Sequence, residues 1–458
     1  MTTSLYPFQS EDAHRAVEEF NGRCLLGHEM GCGKGVMALA ARKLLGNPTT
    51  IIVCPASLKF NWERECKKHF GVRAQILSSQ KPPRKPFRHN PKIVIINYDI
   101  LPFWVQKLQE LDIGLIISDE SQMVSNGRAK RSKATKQLSK GVPYFLALSG
   151  TPFENRPSQL WHILHIIRPD LFPSFLKFAM NFCAPKKTFF GWDFKGASHT
   201  EELHDILTTN LMIRRRKEDV LDDLPPKTRT VVPLEVSNYD EYLQASENFV
   251  EWLTANYGQG KLHGVLKAAQ LTQLGYLKRL ASKIKYDSVV AWIENFLEGS
   301  DQKLMVFGVH KAFLGRLHAH FGRPSTLVTG AVLGKKRQDR FDRFNDDPHC
   351  RLFLGNVQAA GVGWSCTSAS NVAFAEMGWK PAEHVQAEDR ARGLFRGVKG
   401  MPTNVYYLVA RKTVEEILVK LIQKKAAILS AILDGGQGDE MNIFDLLSAE
   451  LLKQRGRL

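Results

Sequence analysis

Residues 24–45 read CLLGHEMGCGKGVMALAARKLL. A short apolar run, a glycine-rich turn and a stretch rich in Ala and Leu follow one another, which predicts a strand, a tight turn and a helix. The same rhythm recurs downstream. TIIVCP (50–55), KIVIIN (92–97), GLIISDE (114–120) and YFLALSG (144–150) are apolar runs too short for helices and too uniformly apolar for half-exposed strands. Strands buried on both faces by crossover helices have this character. A second series comprises KLMVFGV (303–309), STLVTG (325–330), CRLFLGN (350–356), SNVAFAE (370–376) and NVYYLVA (404–410). The expected fold is α/β, with two parallel-sheet domains. Between them residues 155–300 read as mainly helical, interrupted at GWDFKG (191–196) and at LPPK (224–227), where two prolines stop a helix. The first domain is therefore expected over 1–227 with a helical insertion near 155–213, a helical linker over 228–285, and the second domain over 286–458. The apolar spacing of 413–433 predicts a C-terminal amphipathic helix packed on that second domain.

The chain has 458 residues, about three times an ordinary domain. With 43% hydrophobic and 24% charged residues it can bury full cores, so neither a disordered nor a fibrous protein is indicated. Lys and Arg number 63 against 46 for Asp and Glu, a net charge of +17 that favours a polyanionic partner, nucleic acid before an anionic membrane. Seven cysteines without a C-x-x-C pair argue against a disulfide framework and a zinc site, and predict a reducing compartment. Acidic residues precede the first apolar run, and no run approaches the roughly 18 residues of a membrane span, so neither export nor membrane insertion is expected and the location is read as intracellular.

Within 27–35 the chemistry is that of a phosphate cradle. Gly31 and Gly33 free backbone N–H groups to face phosphate oxygens, the following helix N-terminus favours negative charge, and Lys34 reaches toward β and γ phosphates. The general pattern G-x-x-x-x-G-K-[ST] is not met in full, because His28 replaces its first glycine and Gly35 its hydroxyl residue. Taken alone, the turn serves equally as a helix cap. Asp119 and Glu120 end a strand about 85 residues further on, and ligands of doubly wound sheets gather at the carboxyl ends of strands. In one pocket with the loop, Asp119 would hold Mg²⁺ and Glu120 would orient or deprotonate the attacking water. An acidic pair after a strand also suits a helix N-terminus, yet the two signals together favour nucleotide hydrolysis.

With these residues in view the sequence resembles the SWI/SNF-type ATPases of helicase superfamily two, nearest their annealing-helicase and fork-remodelling branch. The similar segments run in order through LYPFQ (5–9), GHEMGCGKG (27–35), IVCPASLKFNWERE (52–65), INYD (96–99), DESQ (119–122), LSGTPFENRPSQLW (148–161), RRRKEDVLDDLPPK (214–227), AAGVGWS (359–365), FAEMGWKPAEHVQAEDRAR (374–392) and TVEEI (413–417). The resemblance implies two RecA-like domains with helical insertions, ATP in the cleft between them, and double-stranded DNA across both. It implies that Gln9 reads adenine and that Met30, Gly31, Cys32, Gly33, Lys34 and Gly35 form the phosphate loop, while Asp119 and Glu120 serve magnesium and water. Ser149, Gly150 and Thr151 would couple hydrolysis to movement. From the second domain, Gly361 and Gly363 would approach nucleotide or DNA, and Gln386 and Arg390 would close over the γ-phosphate. Pro55, Ala56, Ser57, Asn97 and Tyr98 would face DNA phosphates.

Three departures from the family pattern carry consequences. Gly35 removes a hydroxyl that ligates Mg²⁺, so slower hydrolysis is expected, and Gly35→Thr is expected to speed it. Gln122 stands where the family has His. In QAEDRARGLFR (386–396) the second arginine finger is Arg392 or Arg396, and spacing does not decide between them. Arg214, Arg215, Arg216 and Lys217 either grip DNA or pair with Glu218, Asp219, Asp222 and Asp223. The implied activity is an ATP- and Mg²⁺-dependent motor on duplex or branched DNA, working as a monomer in replication or repair. The alternatives are an ATP-responsive DNA-binding protein with impaired turnover and a strand-separating DNA or RNA helicase.

Overall fold

A computed structural model describes residues 5–83, 87, 91–152, 156–188, 191–194, 196–220, 226–256, 263–332, 334–360, 366, 368–391 and 401–422. The chain divides into two compact units, with the boundary at Leu224–Pro225.

The first unit is built on strands β1 (Arg23–Leu26), β2 (Thr50–Cys54), β3 (Gln75–Ile76), β4 (Ile93–Asn97), β5 (Leu115–Asp119), β6 (Tyr144–Leu148) and β9 (Met212–Ile213). They form one sheet in the order β3-β4-β2-β5-β6-β1-β9, parallel throughout. A separate antiparallel hairpin pairs β7 (Lys186–Thr188) with β8 (Gly191–Asp193). The helices are α1 (Pro7–Glu18), α2 (Lys34–Leu44), α3 (Lys59–Phe70), α4 (Leu101–Leu108), α5 (Lys130–Leu138), α6 (Trp161–Ile167), α7 (Phe175–Phe182), α8 (Thr200–Asn210) and α9 (Lys217–Val220). Every residue of β2 and β4 is buried, because helices cover both faces of the sheet. Ile51, Val53, Val94, Ile96 and Ile116 join Leu101, Trp104, Leu164 and Phe178 in one apolar core.

The second unit carries β10 (Lys227–Leu234), β11 (Leu304–Gly308), β12 (Ser325–Val328), β13 (Leu352–Asn356), β14 (Asn371–Phe374) and β15 (Thr403–Ala410) in the order β10-β15-β14-β11-β13-β12, again all parallel. Its helices are α10 (Tyr239–Asn256), α11 (His263–Ile284), α12 (Tyr286–Gly299), α13 (Lys311–Phe321), α14 (Gly334–Asp346), α15 (Val357–Ala360) and α16 (Pro381–Glu388). Tyr242, Phe249 and Val250 of α10 pack with Leu274, Leu277 and Leu280 of α11 and with Ala410 at the end of β15. Residues 414–422 are helical; the rest of the expected C-terminal helix lies outside the described residues.

Two parallel sheets with flanking helices are the architecture that the sequence implies. All seven cysteines are free and buried, Cys54 and Cys366 included. Among the described residues no helix is long and apolar enough to cross a membrane.

Candidate nucleotide-hydrolysis site

β1, β6 and β5 lie side by side, and their carboxyl ends present three loops together. Leu26 of β1 and Asp119 of β5 both stand in register with Leu148 of β6. The Ser149 N–H continues the ladder by donating to the Leu26 carbonyl at 3.2 Å. The glycine loop, the acidic pair and the Ser149–Thr151 segment therefore share one edge of the sheet, the place where parallel α/β sheets bind ligands.

Gly33 caps α2 in the left-handed conformation at φ 84°, and Gly31 has φ 94°. A side chain at Gly33 is excluded twice, by backbone conformation and by Gln9, whose Nε2 would lie 2.4 Å from an added Cβ. Gln9 is buried on the first turn of α1, where its Oε1 accepts from the Tyr6 N–H at 3.2 Å and its Nε2 donates to the Cys32 carbonyl at 2.9 Å. It thus joins the first helix to the crown of the loop. Lys34 donates to the carbonyls of His28 at 2.8 Å and Glu29 at 3.1 Å, and its ammonium lies 3.4 Å from the Cβ that Gly150 lacks. Met30 closes on the same glycine, with its Cγ 2.7 Å from that point.

Behind the loop stands a charged cluster. His28 is fully buried and donates from Nε2 to Asp12 Oδ2 at 2.7 Å. Arg215 forks onto the same carboxylate with two bonds of 2.7 Å and reaches Glu11 at 2.9 Å. Burial raises the Asp12 pKa, but His28 and Arg215 outweigh it and hold the carboxyl below its ordinary value. Arg214 donates to the Gly27 carbonyl at 2.8 Å, and Glu29 accepts from the Lys217 N–H at 2.9 Å. Arg214 and Arg215 thus brace the loop from below. Of the acidic partners expected for this cluster, Asp219 pairs with Arg216 at 2.8 Å, while Asp222 and Asp223 lie outside the described residues.

Asp119 ends β5 with Oδ2 accepting from the Trp62 indole at 2.8 Å and Oδ1 from the Glu120 N–H at 2.9 Å. Burial, then the neighbouring Glu120 carboxylate, pushes its pKa up to about 7. Glu120 sits in the left-handed region at φ 50°, ψ 52°, which for a side chain with a Cβ costs on the order of 1 kcal/mol. Adjacent carboxylates at a strand end are a donor set suited to Mg²⁺, which takes one or two carboxylates and completes its shell from water and phosphate.

The expected DNA-facing residues divide. Pro55, Ala56 and Ser57 form the exposed to half-exposed turn between β2 and α3. Asn97 and Tyr98 are buried. Asn97 Oδ1 accepts from the buried Lys59 ammonium at 3.2 Å, and the Tyr98 hydroxyl donates to the Asp119 carbonyl at 2.6 Å. Tyr98 thus supports the acidic turn from the interior, and neither side chain faces solvent.

In the second unit Gln386 is half-buried on α16, and Arg390 is buried just beyond it. Their helix is anchored by Glu388, whose carboxylate meets Lys227 at 2.9 Å, Arg229 at 2.8 and 3.0 Å and the Tyr407 hydroxyl at 2.8 Å. Gly361, Gly363, Arg392 and Arg396 lie outside the described residues.

Residues 14–279 match the SNF2-related domain. The chain belongs to the SNF2-related family. Residues 285–393 match the helicase conserved C-terminal domain, so the chain carries both domains of an SNF2-type, helicase-like ATPase. The chain is 32% identical over 442 residues to a SWI/SNF-related matrix-associated actin-dependent regulator of chromatin subfamily A-like protein 1 homolog of Caenorhabditis elegans, covering 93% of this chain and 62% of that protein. It is 28% identical over 458 residues to the human DNA annealing helicase and endonuclease ZRANB3, covering 95% of this chain and 41% of that one. The SNF2 chain described here therefore spans between two fifths and two thirds of the length of these relatives. Among solved structures it is similar to the Sulfolobus solfataricus SWI2/SNF2 ATPase core in complex with dsDNA, at 24% identity and a TM-score of 0.46, covering 99% of this chain and 97% of that chain.

The sequence did not single out Trp62, Glu65, Asp12 or Glu29. Asn61, Trp62 and Glu65 recur at i, i+1 and i+4 on α3, a spacing that places them on adjoining parts of one helix surface. Nothing in the sequence showed that this surface faces the acidic turn.

Proposed function

We propose that this chain is a DNA-dependent ATPase that moves along duplex or branched DNA as a monomer. The observation that carries the reading is the gathering of Lys34, the Asp119–Glu120 turn and Ser149–Thr151 on three adjacent strand ends. Gln9 would read the adenine edge while it holds the loop, and Lys34 would exchange the carbonyls of His28 and Glu29 for phosphate oxygens. Asp119 would hold the Mg²⁺ that accompanies the nucleotide, which would supply charge neutralisation to its phosphates. Glu120 orients the attacking water and accepts its proton. From the second unit, Gln386 and Arg390 would act on the γ-phosphate, where a cation stabilises the charge that develops during transfer; Arg392 or Arg396 would add a second finger. Release of phosphate would then be passed to a grip on the DNA backbone.

The DNA partner is supported by the net charge of +17 and by the exposed turn Pro55–Ser57. Backbone contacts of this kind are indifferent to sequence and weaken as salt rises. Movement without strand separation is tested by two assays run side by side with ATP and Mg²⁺. Displacement of a third strand from a triplex, with no release of a strand from a partial duplex, is the expected result. Release of the duplex strand would replace this reading with a strand-separating helicase, and failure of both would overturn translocation.

A further inference from the structure

Gly35 leaves the phosphate loop without the hydroxyl that normally meets the metal, yet its place is not empty. A Cβ built on Gly35 would lie 2.6 Å from Oε2 of Glu65 and 3.3 Å from Cη2 of Trp62. Both residues belong to α3, Trp62 as its fourth residue and Glu65 as its seventh, in a helix that starts just after the Pro55–Ser57 turn. Trp62 is the residue whose indole N–H holds Asp119 Oδ2, so a single side chain spans from the acidic turn to Gly35. Asn61, one helical turn before Glu65, donates to Glu65 Oε1 at 3.0 Å, and Oε2 is the oxygen nearest the loop.

We propose that the Glu65 carboxylate replaces the missing loop hydroxyl as an oxygen ligand, direct or through one water, of the magnesium ion that accompanies the nucleotide. The inference rests on the ATPase reading and concerns the same site. Among the described residues no three His, Cys, Asp or Glu side chains gather into a ready-made metal site, which fits a cation that arrives with phosphates and needs only one or two protein oxygens. An anionic oxygen beside the phosphate cradle would repel ATP unless a cation stood between them, so the placement suits a metal-bearing nucleotide and penalises a bare one. Glycine at 35 is then a requirement of the site, because any side chain there would displace Glu65. The sequence-based expectation that Gly35→Thr speeds turnover is accordingly revised: alone, that change removes one ligand arrangement while installing another in a space already filled.

The test uses the full chain and a non-hydrolysable ATP analogue, titrated calorimetrically in excess Mg²⁺ and again in chelator, with Mn²⁺ binding in the analogue's presence followed by electron paramagnetic resonance. The ratio of the two analogue affinities measures metal coupling without any turnover. Glu65→Gln keeps the volume and the Asn61 contact and is expected to lower that ratio and the Mn²⁺ affinity by roughly tenfold. Its chelator affinity should be unchanged or tighter. The pair Glu65→Ala with Gly35→Ser should regain most of the coupling, since it clears the space and returns a hydroxyl. Unchanged coupling in Glu65→Gln would overturn the proposal, as would an equal loss of affinity with and without metal, which would make Glu65 a scaffold of the loop. If the unsubstituted chain bound no analogue under either condition, the ATPase reading would itself fail.

Discussion

The side-chain amide of Gln122 donates to Oε2 of Glu120 at 2.7 Å. Its carbonyl oxygen accepts from the Ser149 hydroxyl, also at 2.7 Å, and Ser149 Oγ accepts in turn from the Thr151 N–H at 3.2 Å. The two faces of one amide thus connect the Glu120 carboxylate to the Ser149–Thr151 segment, and only one amide orientation satisfies both bonds. Where the family carries His, Gln keeps a donor and an acceptor.

Gln122→Ala should uncouple the two ends of this link. Hydrogen bonds to charged groups contribute about 1.5–3 kcal/mol, so a fall of roughly ten- to a hundredfold in DNA-stimulated kcat is expected with nucleotide affinity nearly intact. Steady-state hydrolysis together with analogue binding checks this; an equal loss in both would assign Gln122 to binding.

Gly33→Ala should damage the loop more than its size suggests. The new Cβ is strained at φ 84° and collides with Gln9 Nε2, which must abandon the Cys32 carbonyl. A loss of roughly 1–2 kcal/mol in stability is expected from the left-handed backbone alone. Thermal melting gives the stability and analogue titration the site; unchanged values in both would show that the loop is free to rearrange.

The second unit should lose stability as pH falls. Burial pulls the His384 pKa down to about 4, and its Nε2 accepts from the Gly378 N–H at 3.0 Å, a bond that needs the neutral ring. Unfolding lets the ring return to its ordinary value of 6.5, so the unfolded chain binds the extra proton between pH 6.5 and 4. Stability from this group is full above pH 6.5 and declines by about 3 kcal/mol by pH 4. Glu388 extends the decline. Burial would raise its pKa, but Lys227 and Arg229 overcome that and hold it at about 2, so its contribution, present above about 4.5, is lost as pH falls toward 2. His384→Gln should flatten the melting temperature between pH 6.5 and 4. A slope that survives the substitution would assign it to other groups.

All ten apolar runs singled out in the sequence are strands of the two sheets, because strands covered on both faces must be apolar almost continuously. β10 escaped notice for the opposite reason. Residues 227–231 of KTRTVVPL are half-buried or exposed, and the strand contains Pro233, features of a strand at the edge of a sheet. At the site, the glycine loop and the Asp119–Glu120 pair were legible because their chemistry is local: left-handed glycines before a helix, and acids at a strand end. Asn97 and Tyr98 were expected to face DNA phosphates on the strength of the family resemblance alone. Their burial depends on Lys59 and Asp119, which are distant in sequence. Glu65 was invisible for the same reason, since its relation to Gly35 exists only once α3 is packed beside α2.

The most direct measurement is ATP hydrolysis by the chain and by Glu120→Gln, titrated with duplex DNA at constant Mg²⁺ and salt. Turnover by the unsubstituted chain should rise at least about tenfold at saturating duplex, while Glu120→Gln, still binding nucleotide and DNA, should lose at least about a hundredfold, as expected for removal of a general base. A rate indifferent to DNA, or a Glu120→Gln variant as active as the unsubstituted chain, would contradict an ATPase driven from this strand edge.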